Sequence, residues 1–330
     1  MTNFWRLLGF LRPYRHGVFW SVLLAATAMG TGSIIPLLVG AAVNAIEAAD
    51  RAALSWLALA IIGAGIFRAV LSVGRRVVTG RVSLGVEHDL RSRLYRHFQD
   101  LEIGFFHDHQ TGQLMSRATV DLQVVRFFLG YGLTFLLQSV FTIVISAAIM
   151  LWLQPDLALL ILSTMPFIVF SAAVYGKKAR PAVQEVQQRL AELSANVEEN
   201  VSGIRVIKAF AREPERLAQF KNTTQRVFDQ QIFSTRLSGF YNPLLGFIPS
   251  MGLAIVMLYG GNQVIDGNLD LGDFTAFYFY MGMLIGPMRT LGATLGSAQR
   301  ATAAGARIFE VLDREPRIES GPDAAPLPPG

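Results

Sequence analysis

Six stretches of this chain are free, or nearly free, of Asp, Glu, Lys, Arg and His, and their lengths leave few folds open. Residues 17–46 run for 30 positions without such a group. Residues 52–67 give 16, and continue apolar past Arg68 to Gly74. Residues 127–155 give 29, 157–176 give 20, and 237–265 give 29. Residues 274–288 give 15, and after Arg289 a further run reaches Gln299. A helix crosses the hydrocarbon core of a bilayer in about 20 residues, with a range of about 17–25. Six such runs predict six transmembrane helices, because the buried helices of a soluble core rarely come six to a chain. Hydrophobic residues make up 52% and charged residues 16%, against about 25% charged in a soluble domain.

The basic residues then fall to one side. Arg6, Arg12 and Arg15 precede the first run, eight lie between Arg75 and Arg126, eleven between Lys177 and Arg236, and five from Arg289 onward. That is 27 of the 29; only Arg51 lies opposite, and Arg68 is inside the second run. By the positive-inside rule both termini and both long loops are expected in the cytoplasm, in a multi-pass protein of the cell membrane. The net charge of +5 is therefore read as topology, and no nucleic-acid partner is expected. Residues 1–17 are read as an interfacial elbow helix. Phe4, Trp5, Leu7, Leu8 and Leu11 recur at helical spacing between arginines, and Pro13 is expected to end it. With no cysteine in the chain, disulfide and thiolate chemistry are excluded.

Two of the segments between the runs are too long and too regular to be linkers. In residues 75–126, Val82, Val86, Leu90, Leu94, Phe98 and Leu101 return every three or four positions; in 177–236, Val186, Leu190, Leu193, Val197, Val201 and Ile204 do so. This is the amphipathic helical period. A helix over residues 53–101 would be ~75 Å long at about 1.5 Å per residue, more than twice the hydrocarbon thickness. Gly104 and Gly112 punctuate the first tip, Gly203 and Pro214 the second. Paired aromatics there, Phe105, Phe106 and Phe210, suggest a docking surface.

In FFHDHQTGQLMSRATVD, ENVSGIRVIKAFAREPE and GPMRTLGATLGSAQRATAAGARIFEVLD the chain resembles the transmembrane domain of type I ATP-binding-cassette exporters over almost its whole length. The resemblance implies an all-α integral membrane fold of six helices with long cytoplasmic extensions over residues 18–307, in a domain-swapped homodimer or heterodimer within the lipid bilayer. It implies short coupling helices near residues 106–115 and 203–212, seated on a nucleotide-binding domain. The residues carried over are Phe106, Asp108, Thr111, Gly112, Arg117 and Asp121 in the first tip, and Glu199, Gly203, Arg205, Lys208, Phe210 and Glu213 in the second. Arg117 and Asp121 are expected to pair at i,i+4. His107 departs from the family, which commonly carries Asp there.

No G-x-x-x-x-G-K-[ST] occurs in the sequence, and Leu237-Ser238-Gly239-Phe240 lacks the rest of the family's signature. No catalytic residue and no metal site are assigned; the His107–Asp108–His109 cluster is read as solvated. Residues 308–330 read as a helix end and a Pro/Gly-rich linker, expected to lead into a fused domain that binds Mg–ATP. For a substrate pathway the candidates are Phe277, Tyr278, Phe240, Tyr241, Gly286, Pro287 and Arg289. Gly282-x-x-x-Gly286 and Gly292-x-x-x-Gly296 are spaced for close helix approach. The expected function is ATP-driven export of a hydrophobic or amphipathic drug, lipid or peptide by alternating access. The alternatives are import on the same fold, or an ATP-independent channel or carrier, which would place more ionisable residues in the membrane.

Overall fold

A computed structural model describes residues 2–317, apart from the side chains of Thr2, Asn3, Arg289, Leu291 and Ala293. Residues 318–330, most of the expected linker, lie outside the described residues. The elements are α1 (Thr2–Gly9), α2 (Arg15–Glu47), α3 (Arg51–Asp100), α4 (Ile103–Asp108), α5 (Thr111–Ser116), α6 (Leu122–Phe127), α7 (Leu133–Leu153), α8 (Pro155–Ser202), α9 (Ile204–Ala209), α10 (Glu213–Ile255), α11 (Gly261–Ile265) and α12 (Leu271–Leu312). Wide π turns at Arg117–Asp121, Phe128–Gly132 and Val256–Gly260 join neighbouring helices without breaking the chain's direction of winding.

The long helices form where the apolar run and the amphipathic period abut without a breaker. α3 is 50 residues long and starts at Asp50, whose side chain accepts the amides of Ala52 and Ala53 at 3.0 Å. α8 runs 48 residues through Pro166 and Pro181. Among the described residues five helical stretches are long and apolar enough to cross a membrane: Phe4–Glu47, Arg51–Asp100, Thr111–Leu153, Pro155–Ser202 and Glu213–Ile265. The sixth expected span is helical too, as α12, but it is not among the five. Asp273, two tyrosines, Pro287 and Arg289 dilute its apolar run. On α3, Trp56, Leu59, Ile62, Ile66, Val70 and Val73 form an exposed stripe. Water does not tolerate such a stripe; lipid does. This is a multi-pass membrane protein.

The chain divides into two compact units. The first, residues 1–149 with 270–330, contains α1 to most of α7 and α12. Its membrane half is closed by small residues. A Cβ on Gly40 would stand 2.4 Å from the Gly272 carbonyl oxygen, so α2 and α12 touch backbone to backbone. There the Gly272 amide donates to Asn44 Oδ1 at 2.6 Å. Ser21 and Thr79 hydroxyls bond at 2.6 Å between α2 and α3, and the Tyr280 hydroxyl donates to the Ser33 carbonyl. Its charged half holds the main apolar core: Leu7, Val86, Leu90, Leu94, Leu122, Phe128, Ala304 and Ile308 among others.

Two expectations are corrected in this unit. Pro13 does not stop the elbow, since a short 3-10 turn, Arg12–Tyr14, carries the chain straight into α2. α1 itself ends earlier, at Gly9, and seats Leu7 against Gly305 of α12, where a Cβ would clash at 2.8 Å. Of the α12 glycines expected to permit close approach, three do not do so within the chain, whereas the fourth, Gly296, is buried. Gly282, Gly286 and Gly292 have nothing within 4 Å of a notional Cβ. The close approaches lie instead at Gly40–Gly272, Gly85–Tyr14, Gly130–Ser83 and Gly305–Leu7.

The second unit, Met150–Leu269, is chiefly the antiparallel pair α8 and α10. Leu157, Ala158, Ile161 and Ile168 are buried along its apolar half, whereas the far half buries little beyond Ala182, Val186, Ile207 and Thr223.

Candidate docking tips

The first tip is a break of α3 into two short helices. Leu101 and Glu102 are extended, α4 follows, and His109 and Gln110 are extended again before α5. The expected single helix over 106–115 is thus two pieces. Phe105 is 2% exposed; Phe106 crosses it edge-on at 5.3 Å, His109 stacks on it at 4.2 Å, and the Arg314 guanidinium lies 4.7 Å from its centroid. Its neighbour Phe106 is exposed, as are Asp108, Thr111 and Gly112. They leave α4 and α5 with an open outer surface of mixed character, on which Ile103 and Met115 are exposed as well.

The expected Arg117–Asp121 pair does not form. Arg117 instead meets Glu310 of α12 at 3.0 Å, and Asp121 takes two hydrogen bonds from Arg307 at 2.9 and 2.5 Å. The cause is the π turn over these five residues, which shifts positions four apart off a common face. Two further pairs complete a ladder. Glu102 is bonded by Arg314 at 2.7 Å and by the Arg317 amide at 3.3 Å, and Arg6 makes a fork to Asp313 at 2.7 and 2.5 Å. The hydrogen bond from Arg314 is the main reason that the Glu102 carboxyl is held down at about 2. The Arg6 fork likewise lowers Asp313, and Asp121 raises Arg307. The ladder was not anticipated. Part of its signal lay in the sequence, since Arg307 and Glu310 are three apart on α12, and Arg314 and Arg317 continue that spacing just past the helix end.

The second tip is built differently. Gly203 closes α8, its amide donating to the Glu199 carbonyl at 2.8 Å, and α9 fills six residues. Ala211 turns the chain into α10 with φ +52°, a conformation costly for any residue with a Cβ. Its ion pairs are local. Lys208 reaches Glu213 at 3.1 Å, Arg212 reaches Glu215, and Glu199 meets Arg216 at 3.4 Å. The backbone amide at the start of α10, and then Lys208, lower the Glu213 carboxyl. Arg205 points to solvent. Of the apolar residues only Ile207 is buried; Val201, Ile204, Val206 and Phe210 are exposed, Phe210 to 73%.

Comparison with known proteins gives this arrangement its place. The model of the family described as "ABC transporter transmembrane region" matches residues 18–288. The chain belongs to this family. It is 26% identical over 325 residues to an uncharacterised ABC transporter ATP-binding protein of Bacillus subtilis, covering 98% of the chain and 56% of the relative. It is 28% identical over 339 residues to an ATP-dependent lipid A-core flippase of Syntrophus aciditrophicus, covering 99% and 55%. A multidrug efflux ATP-binding/permease protein of Mycobacterium tuberculosis is 29% identical over 331 residues, covering 99% and 27%. The chain therefore spans little more than half the length of the first of these ABC relatives.

The pathway candidates scatter within this ABC transmembrane chain. Phe277 is fully enclosed in the first unit and presents nothing to a pathway; Tyr280, beside it, is enclosed as well. Tyr278 and Gly286 are exposed and Pro287 is half-buried within an unbroken α12. The Arg289 side chain lies outside the described residues. The Arg68 guanidinium, inside the second run, lies against Gly32 of α2, 3.1 Å from a notional Cβ there. Phe240 and Tyr241 belong to the second unit, where Tyr241 stacks on Tyr175 at 5.4 Å.

Proposed function

We propose that this chain is the permease part of an ABC transporter that exports a hydrophobic or amphipathic substrate, a drug, a lipid or a peptide. The observation that carries the reading is the second tip, an apolar face at the end of a 48-residue helix, exposed where no lipid can cover it. A nucleotide-binding domain is the partner this face suits. The relatives' names join ATP binding to the permease, and their extra length leaves room for that domain in one polypeptide. Mg–ATP would be held there, since this chain offers no phosphate-cradling loop.

In this mechanism closure of two nucleotide-binding domains draws the tips together and turns the cavity from inward- to outward-facing. The first tip passes the movement to α12 through the Asp121–Arg307 and Glu102–Arg314 pairs. The second passes it to α8 and α10. A second half-transporter, identical or homologous, completes the path. The separate compactness of the α8–α10 unit suits an arm exchanged between protomers. The bias of basic residues supports a cell-membrane protein with termini and tips in the cytoplasm.

The test uses the complete transporter with Gly112→Trp or Gly203→Trp. Nothing lies within 4 Å of a Cβ on Gly112, so the chain itself accommodates the larger group there. Transport per ATP hydrolysed is expected to fall sharply in both variants. Normal coupling would overturn the assignment of the tips.

A further inference from the structure

The structure assigns a second binding site, for the headgroup of an anionic phospholipid, to an open groove on the α8–α10 pair. The groove has a volume of about 450 Å³ and is lined by Lys178, Phe233, Arg236, Leu237, Phe240 and Tyr241. Five of these lie at positions i, i+3, i+4, i+7 and i+8 of α10 and so share one helix face. Lys178 comes level with them because the helices are antiparallel. Tyr175 meets Ser238 at 3.2 Å, and the Lys178 ammonium donates to the Tyr241 hydroxyl at 3.2 Å.

The position in the sequence sets the depth. Lys178 stands two residues beyond the apolar run 157–176, and Arg236 immediately before the run 237–265. Both cations therefore sit at the same boundary between hydrocarbon and water. Neither forms an ion pair with a carboxylate among the described residues. Lys178 is held over the Tyr241 ring, 5.7 Å from its centroid. Phe233 and Phe240 are exposed on either side. Two unneutralised cations, a phenol hydroxyl and flanking aromatic rings at an interface match a phosphate headgroup with its acyl chain beside them. A protein partner would have to bring carboxylates to the same level.

The site goes beyond the export reading and is tested by binding alone. The complete transporter, purified in neutral detergent, is titrated with short-chain phosphatidylglycerol, with phosphatidylcholine of the same chains, and with glycerol phosphate. Phosphatidylglycerol is expected to bind in preference to phosphatidylcholine. Its affinity should fall about fivefold in Lys178→Gln or Arg236→Gln and about twentyfold in the double variant. Lys221→Gln, at an exposed lysine farther along α10, should bind as the parent does. Equal binding of the two lipids, or an undiminished double variant, would overturn the site. Glycerol phosphate binding as tightly as the lipid would make it a phosphate site and overturn the lipid assignment. A double variant that lost dimerisation while keeping lipid would show that a second copy covers the groove. A transport defect without a lipid-binding defect would overturn the site and leave the export reading standing.

Discussion

The two tips carry aromatic residues from similar sequence contexts and use them in opposite ways. Phe105 of the first tip is sealed between Phe106, His109 and Arg314, and Phe210 of the second stands in solvent. Around Phe105 the ion pairs span from Arg6 to Asp313 and from Glu102 to Arg314; around Phe210 they stay within a few residues or join adjacent helix ends. The first tip is thus part of a folded core, held by the end of α12. The second is a short helix on a two-helix stalk, with its adhesive surface unspent. The first tip is tied down by ion pairs to the far end of its own chain, and the second keeps Val201, Ile204, Val206 and Phe210 free.

The sharpest way to break this contrast is to truncate both phenylalanines. Phe105→Ala should destabilise its unit by about 3 kcal/mol, the low end for a buried phenylalanine. Phe210→Ala should stay within about 0.5 kcal/mol, as exposed sites do. Chemical unfolding of the two variants beside the parent decides it; comparable losses would erase the distinction.

A smaller effect is expected at the ladder. Arg307→Ala leaves the buried Asp121 carboxylate without its fork. The cost is about 2 kcal/mol, below the usual range for a buried pair because the Arg307 side chain is itself half exposed. The matching change in the second tip, Arg216→Ala, breaks an exposed pair with Glu199 and should cost under about 0.5 kcal/mol.

Acid should weaken both tips, since the Glu213 carboxyl of the second is lowered as well, but it should act more strongly on the first through Glu102. Glu102, with a carboxyl at about 2, contributes its stabilisation fully above the ordinary carboxylate range and loses it as the pH falls toward 2. Asp313 acts in the same direction. Hydrogen-exchange protection at residues 101–121, referred to the intrinsic rate at each pH, should therefore fall below about pH 4.3, the unperturbed value for glutamate. Glu102→Gln should flatten that response, and an unchanged profile would remove the ladder from the account. Ala211→Gly offers the mildest probe. Relief of its positive φ should stabilise the turn after α9 by about 1 kcal/mol, read by slower exchange there.

Much of this was legible because long helices write their period plainly. Residues 53–101 predict one unbroken helix, and α3 spans Arg51–Asp100; Pro166 and Pro181 failed to obscure α8 because no polar loop accompanies them. The tips were also marked, by glycines and paired aromatics. What one sequence could not show was which partner each charge would choose. Arg117 and Asp121 looked paired by spacing, but a π turn moved them apart and α12, 186 residues beyond Asp121, supplied Arg307. Gly282, Gly286 and Gly292 of α12 misled for a related reason. Spacing shows that close approach is sterically open, whereas its occurrence depends on what lies opposite, as Gly272 does for Gly40. Phe277 was read by residue type as a pathway residue, and packing encloses it.

With no cysteine in residues 1–330, one thiol placed there tests the central claim once any cysteine elsewhere in the complete transporter is replaced by serine. Phe210→Cys is placed in the complete transporter and in residues 1–330 alone, and each maleimide labelling rate is normalised to the same protein unfolded in detergent. The thiol is expected to label freely in the shorter chain and to be protected in the complete transporter, where the nucleotide-binding domain covers the second tip. Equal, rapid labelling in both would contradict the account.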